Sequence, residues 1–144
     1  RRLLEQEATL LVFPEGVDGI AKTYSERYQL QPFGLGFMRL ALQTNTPIVP
    51  AAIIGGEEQY ISIANLKKVG KALHMPALPV LPQLLLGFPL PLPTKYRMHF
   101  GTPMTFSGDS DDDDATIAQK VSQVRHAIDT LLKQGLQKRS TVFW

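Results

Sequence analysis

Glu15 is the first residue along the chain whose type and position could do chemistry. It follows the apolar run at residues 10–13 and Pro14, and Gly16 comes directly after it. Proteins of the α/β class bind ligands at the carboxyl ends of their strands, and a glycine lets backbone approach a ligand without an intervening Cβ. Glu15 is therefore a candidate substrate-binding residue, although a glutamate at the end of a strand often does no more than cap a turn.

The loop after Glu15 carries two cations and two aromatic residues within seven positions, namely Lys22, Tyr24, Arg27 and Tyr28. A lysine and an arginine that lie close together can bind a phosphate, and the arginine can contact two phosphate oxygens at once. The segment is thus either an anion-binding loop that uses Lys22 and Arg27 or an ordinary solvated loop.

The sequence lacks the residues or the spacing that several other kinds of chemistry require. The chain has no cysteine, which excludes disulfides and thiolate metal sites and fits a reducing compartment. The histidines His74, His99 and His126 are far apart in sequence, and none has a matching acidic partner. Neither metal-ligand spacing nor a glycine-rich phosphate loop is present. We therefore predict no metal site and no catalytic histidine among these residues.

Residues 9–54 predict the framework that positions the candidate site. Residues 9–13 are short and apolar, which is typical of a buried strand, and Pro14 ends that strand because it has no N–H to donate. Apolar residues at helical spacing follow at 33–44, and residues 47–54 predict a second buried strand. Strand, loop, helix and strand form a βαβ unit, so the expected fold class is α/β, a mixed sheet with flanking helices.

The second half of the chain predicts three further elements. Residues 76–93 are rich in proline and carry no charge, so they form either a crossover packed on the sheet or an apolar lip that faces acyl chains or a bilayer. Residues 95–101 alternate basic and apolar side chains, which predicts a half-buried strand near a sheet edge. A helix is predicted over 112–134, with the acidic loop 107–114 at its positive end and Gly135 closing it.

Length, composition and charge limit the remaining possibilities. The 144 residues suit one domain, and 44% hydrophobic content indicates a globular chain. The net charge of +2 is too small to indicate a nucleic-acid partner. Residues 109–114 hold five of the 13 acidic residues and leave 15 basic against 8 acidic elsewhere. Such a basic body could rest on an anionic membrane surface, or the acidic run could serve only solubility and helix capping.

Residues 9–105 contain three short motifs, each once, whose order and spacing resemble those of the glycerolipid acyltransferase family of the lysophosphatidate type. The family's Phe-Pro-Glu-Gly motif is matched by Phe13, Pro14, Glu15 and Gly16. Its next motif, a short hydrophobic strand ending in proline, is matched by Pro47, Ile48, Val49 and Pro50. Phe-Gly-Thr-Pro-Met at 100–104 is similar to a later Phe-Gly-x-Pro signature.

This resemblance implies the transfer of a fatty acyl group from acyl-CoA or acyl carrier protein to a hydroxyl of a glycerolipid. It implies a membrane-associated protein on the cytoplasmic face, with no cofactor beyond the acyl thioester. In the family, a His followed after four residues by an Asp acts as the base, and the His takes the proton of the acceptor hydroxyl. The resemblance places substrate binding at residues 13–16, with Lys22 and Arg27 as further candidates.

The chain departs from the family pattern in two ways. The first is that it contains no His-x4-Asp motif. The chain also opens without Met, inside a helix-like pattern. We therefore expect residues 1–144 to be a single, N-terminally incomplete acyltransferase domain that is inactive alone, its base lying upstream. The alternative is a non-catalytic lipid-binding module of the same fold.

The second departure concerns the residues after the Glu-Gly pair. Phosphate-binding members have a small residue and then Arg, where this chain has Val17 and Asp18. Either Lys22 and Arg27 take over the phosphate, or the acceptor has no phosphate, as with a neutral acylglycerol.

Overall fold

The structure, a computed structural model, describes residues 1–65, 79–80, 87 and 90–143. Its α-helices are α1 (Arg2–Glu5), α2 (Val17–Ile20), α3 (Gly36–Thr44) and α4 (Asp114–Lys138). Short 3-10 helices lie at Tyr24–Glu26 and Gly56–Glu58. The strands are β1 (Ala51–Ile54), β2 (Ala64–Asn65), β3 (Pro79–Val80) and β4 (Arg97–Phe100).

Helix α4 begins at a side-chain cap. Asp113 is the N-cap residue, and its Oδ1 accepts a hydrogen bond from the Thr116 backbone N–H at 2.9 Å. That hydrogen bond lowers the pKa of Asp113 below its ordinary value. A carboxylate at this position both satisfies a free N–H and complements the positive end of the helix dipole.

The end of α4 corrects the expectation that Gly135 closes the helix. The helix continues through Gly135 to Lys138, four residues beyond the expected 134. A Cβ added at Gly135 would lie 2.3 Å from Ile54 Cδ1 and 2.8 Å from His99 Nε2. The glycine is therefore needed because the helix packs closely on the β1–β4 pair, and it marks a contact instead of a terminus.

Two clusters of buried side chains hold the other elements against α4. The cluster toward the helix start joins it to α3 through Met38, Ile117, Val121 and Val124. The cluster toward the helix end joins it to β1 through Ala52, Ile54 and Leu132. Removing a large apolar side chain of this kind from water stabilises the fold by about 1.5–3 kcal/mol, so α4 organises the core of the described residues.

The acidic loop is tied to the body by cations. Arg39 of α3 donates hydrogen bonds to the Ser110 carbonyl, to the Asp112 carbonyl at 3.0 Å and to Asp114 Oδ1 at 2.7 Å. Lys120 Nζ lies 3.3 Å from Asp112 Oδ2. These contacts and the Asp113 cap agree with the capping role that was one of the two alternatives for this acidic run.

Strands β1 and β4 form an antiparallel pair. Ala51 lies opposite Phe100 and Ile54 lies opposite Arg97. A separate bridge joins Ile48 and Met104, whose backbone N–H groups donate to each other's carbonyls at 2.9 and 2.8 Å. The regular strand nevertheless begins only at Ala51 and not at residue 47 as expected, because Pro47 and Pro50 have no N–H to contribute to a ladder.

Residues 9–13 do not form the buried strand that we expected, so the βαβ unit built on that strand is not formed either. They are not assigned to a strand, and the side chains of Leu11 and Phe13 are 71% and 69% exposed. All strand pairings within the described ranges are antiparallel. A strand exists only where a neighbour accepts and donates its backbone hydrogen bonds, and an apolar run does not reveal that neighbour. Helices packed on antiparallel strands remain compatible with the α/β class, but the residues that the structure describes form no mixed sheet.

The apolar face of β4, and not its polar face, is the more exposed one. The strand predicted from the alternating pattern is present, but its apolar residues Met98 and Phe100 are 62% and 67% exposed. The polar residues Arg97 and His99 are half-buried on the other face, where His99 lies against Gly135. The Pro-rich segment 76–93 lies mostly outside the described residues, so both alternatives for it stay predictions.

Candidate functional site

Phe-Pro-Glu-Gly forms a tight turn. The Gly16 backbone N–H donates to the Phe13 carbonyl at 3.1 Å, which closes a four-residue turn with Pro14 at its second position. Proline suits that position because its φ is already restricted to the required value. Gly16 has φ +57° and ψ −137°, a conformation that side-chain-bearing residues rarely adopt. The motif therefore encodes a defined turn that ends in the cap of α2.

The Glu15 carboxylate points back over α2. A Cβ added at Gly19 would lie 2.8 Å from Glu15 Oε2 and 2.9 Å from Glu15 Cβ. Gly19 thus provides the space into which the glutamate folds. The Glu15 side chain is 14% exposed, and Oε2 lies 3.4 Å from the Lys22 Nζ. The structure therefore brings together the carboxylate and one of the two cations that the sequence singled out.

Lys22 is buried between two carboxylates. Its side chain is 7% exposed, and Nζ donates to Glu57 Oε1 at 2.7 Å and to the Gln29 carbonyl at 3.3 Å. The other oxygen of Glu57, Oε2, accepts a hydrogen bond from the Tyr28 backbone N–H at 2.6 Å. Glu57 therefore fixes Lys22 and the chain around Tyr28 at the same time.

Arg27, the second predicted cation, makes different contacts. Its guanidinium carbon lies 4.3 Å from the centre of the Tyr24 ring, and Nη1 donates to the Tyr24 carbonyl at 3.0 Å. Arg27 Nε lies 3.9 Å from Glu58 Oε1. Lys22 and Arg27 therefore contact consecutive glutamates of the same 3-10 helix, Gly56–Glu58.

Glu58 forms a buried ion pair with the end of α4. Its side chain is 3% exposed, and both of its oxygens accept hydrogen bonds from Arg139, which is 14% exposed. These hydrogen bonds raise the pKa of Arg139. A two-pronged contact of this kind suits the planar guanidinium and fixes the relative position of the two segments.

Tyr28 completes this network beside the ion pair. Its hydroxyl accepts a hydrogen bond from the Gly55 backbone N–H at 2.8 Å, and the Arg139 guanidinium carbon lies 5.9 Å from its ring centre. Burial raises the pKa of the Tyr28 phenol, and the hydrogen bond from Gly55 partly opposes that rise. Gly55 itself has φ +101°, and a Cβ there would lie 2.4 Å from the Lys95 carbonyl oxygen.

The second motif lies in the framework of the sheet. Pro50 is fully buried, its carbonyl accepts the Gly101 N–H at 2.8 Å, and Ile48 pairs with Met104. Pro47 is exposed and Val49 is 49% exposed. Through Ile48 and Pro50 this motif contacts the segment after β4, which suits the supporting role predicted for it, and none of these contacts involves Glu15.

Sequence reasoning missed Gly19, Glu57 and Glu58 as parts of the site. The signal that could have found the glutamates is the Gly-Gly-Glu-Glu run directly after the strand at 51–54. This run presents carboxylates at the carboxyl end of a real strand, the position that was expected for Glu15.

The described residues contain neither a metal-binding cluster nor a membrane-spanning helix. No group of three or more His, Asp or Glu side chains there is placed to hold a metal ion. None of the helices in those ranges is both long enough and apolar enough to cross a bilayer.

The family model Acyltransferase matches residues 1–54, which include the Phe-Pro-Glu-Gly turn and β1. A 1-acyl-sn-glycerol-3-phosphate acyltransferase of Cocos nucifera is 40% identical over 55 residues, 38% of this chain and 16% of that protein. The protein of the same name from Limnanthes douglasii is 42% identical over 55 residues, 38% of this chain and 17% of its own.

A longer match is to mycobacterial proteins. An uncharacterized protein of Mycobacterium tuberculosis (strain ATCC 25618 / H37Rv) is 37% identical over 150 residues, which cover 99% of this chain. The chain spans 42% of that relative's length. No solved structure matches the chain.

Proposed function

We propose that this protein, whose residues 1–54 match the Acyltransferase family model, transfers a fatty acyl group from a thioester to a hydroxyl of a glycerolipid. The observation that carries this proposal is the geometry of the matched motif. Phe-Pro-Glu-Gly forms a tight turn, and Glu15 is directed by Gly19 and Lys22 into one orientation. A carboxylate held in this way is preorganised to orient a substrate.

The proposed reaction is general-base acyl transfer. A base removes the proton of the acceptor hydroxyl, the hydroxyl oxygen attacks the thioester carbonyl carbon, and the C–S bond breaks as the ester C–O bond forms. The proton then passes from the base to the departing thiolate. We assign the base to a His-Asp pair that these 144 residues do not contain. Glu15 accepts a hydrogen bond from a second hydroxyl of the acceptor and thereby aligns the reacting one.

The proposed donor is acyl-CoA or acyl carrier protein, the protein needs no other cofactor, and it works at the cytoplasmic face of a membrane. What supports a membrane surface is the set of apolar side chains that the described residues expose, among them Leu11, Phe13, Ile20, Met98 and Phe100. Exposed apolar side chains in such number favour contact with an apolar phase. A glycerolipid acceptor would be supplied from that phase.

The experiment that tests the proposal compares Glu15→Ala with wild type in the intact gene product, using acyl-CoA and a mixture of monoacylglycerol and lysophosphatidate as acceptors. We expect kcat/KM to fall about 100-fold, because a misaligned substrate loses most of the benefit of preorganisation. Lys22 keeps its ion pair with Glu57 in the variant, so the melting temperature should change little.

The matched control is Glu5→Ala, which removes an exposed carboxylate that pairs with Arg1 across one helical turn. It should retain full activity. Undiminished transfer by Glu15→Ala would show that Glu15 serves the turn alone. Vesicle binding by the wild-type protein without any acyl transfer would instead favour the non-catalytic lipid-binding alternative.

A further inference from the structure

Lys22 has no donor left for a substrate anion. An ammonium group carries three N–H donors. Its Nζ has three acceptors within reach, namely Glu57 Oε1 at 2.7 Å, the Gln29 carbonyl at 3.3 Å and Glu15 Oε2 at 3.4 Å. The side chain is also only 7% exposed. A phosphate could reach this cation only by displacing one of the acceptors that bury it.

Arg27 is also committed to groups of its own chain. The guanidinium lies against the Tyr24 ring, donates to the Tyr24 carbonyl and faces Glu58. Glu58 in turn is paired with Arg139. The two cations that the sequence offers as phosphate ligands therefore already neutralise carboxylates inside the fold.

The carboxylates around the turn outnumber these cations. Glu15, Glu57 and Glu58 pair with the three cations Lys22, Arg27 and Arg139. The exposed Asp18, in the first turn of α2 directly after the motif, adds one further carboxylate, which leaves a formal charge of −1. A phosphate monoester carries up to two further negative charges, and like charges repel strongly where water is partly excluded. An uncharged hydroxyl has no such penalty, and it can donate a hydrogen bond to Glu15.

We infer that the acceptor at this site is the uncharged polyol end of a lipid, of the acylglycerol class, and that Asp18 and the Glu57-bound Lys22 exclude phosphate-bearing acceptors. This inference rests on the proposed function and names its acceptor. It distinguishes this protein from the plant relatives, whose names specify a phosphate-bearing acceptor.

The test measures acyl transfer by the intact gene product from acyl-CoA to 1-monoacylglycerol and to 1-acylglycerol 3-phosphate with the same acyl chain, in mixed detergent micelles. The wild-type kcat/KM should favour monoacylglycerol by about tenfold or more. Asp18→Arg places a cation on an exposed position and should shift this ratio toward the phosphate-bearing acceptor by about tenfold. Asp18→Asn, the matched control, removes the charge without adding a cation and should shift the ratio less.

A second measurement needs no turnover. Equilibrium titration with glycerol 3-phosphate should give binding about tenfold tighter for Asp18→Arg than for wild type. Wild-type preference for the phosphate-bearing acceptor would overturn the inference, as would an Asp18→Arg variant that changes neither the ratio nor the titration. If the wild-type protein transfers an acyl group to neither acceptor, the proposed function is refuted. The titration would still decide whether this turn repels phosphate.

Discussion

At the scale of single residues, the structure assigns each cation near the Phe-Pro-Glu-Gly turn to a carboxylate of the chain. Lys22 lies between Glu15 and Glu57, and Arg139 binds both oxygens of Glu58. A buried charge without a partner destabilises the fold by several kcal/mol. Removing one partner of a buried ion pair therefore destabilises the protein by more than the intact pair stabilises it. We therefore expect the stability of the fold to depend strongly on the ion pair between Glu58 and Arg139.

We predict that Arg139→Met destabilises the protein by about 3–5 kcal/mol, because it removes both hydrogen bonds that the buried Glu58 carboxylate accepts from Arg139 and leaves Arg27 Nε at 3.9 Å as a weaker neighbour. The double variant Glu58→Met with Arg139→Met should recover most of that loss, because it removes both charges and keeps the volume apolar. Equilibrium urea unfolding measures both effects.

The matched control is Lys133→Met, which breaks an exposed pair with Asp129 one helical turn away. Exposed pairs of this type contribute about 0.3–0.5 kcal/mol, so this variant should unfold nearly as wild type does. Equal stability of Arg139→Met and Lys133→Met would contradict the structural importance assigned to the buried pair.

At the scale of elements, α4 and the β1–β4 pair determine each other's placement. The helix lies so close to the sheet that position 135 has no room for a side chain, since a Cβ there would meet Ile54 and His99. A glycine inside a helix normally weakens it by about 1 kcal/mol relative to alanine. The close approach at Gly135 therefore outweighs the helix preference of alanine.

We predict that Gly135→Ala lowers the free energy of unfolding by about 1–3 kcal/mol, because the added methyl overpacks the helix–sheet contact. Gln123→Ala, an exposed position of the same helix, should change stability by less than about 0.5 kcal/mol. Combining Gly135→Ala with Ile54→Val removes the Cδ1 atom in the closest contact and should restore part of the loss. A stabilising effect of Gly135→Ala alone would show that the helix does not approach the sheet as closely as described.

At the scale of the whole molecule, apolar surface is distributed unevenly. The outer face of the β1–β4 pair, which we define as Ile53, Met98 and Phe100, is exposed, and the opposite face packs on α4. Outside the acidic run at 109–114 the chain has 15 basic and 8 acidic residues. Apolar surface on a basic body is a combination that suits an anionic bilayer surface.

We predict that the double variant Met98→Ser with Phe100→Ser weakens binding to phosphatidylserine-containing vesicles by about tenfold or more, because each side chain contributes about 1.5–3 kcal/mol when it leaves water. Flotation with the intact gene product measures the bound fraction, and circular dichroism checks that the fold is retained. Gln119→Ser with Gln123→Ser, two exposed positions on α4, serves as the control. Unchanged vesicle binding by the Met98 and Phe100 variant would mean that the outer face does not contact the membrane.

The sequence by itself determined the features that depend on local pattern. The motif at residues 13–16 lies in the segment that the Acyltransferase family model matches, and the spacing of apolar residues after the acidic loop predicted a long helix with aspartates at its positive end. These features were accessible because helix periodicity, turn chemistry and short motifs are properties of neighbouring residues.

Only the tertiary structure decided which partner each group meets. Lys22 binds Glu57, which lies 35 positions away, and that pairing turns an expected phosphate ligand into a neutralised cation. Residues 9–13 have the composition of a buried strand but are exposed, and β4 turns its apolar face outward. Pairing, burial and strand formation all require a second segment at the right distance, and the identity of that segment is not written in the local sequence.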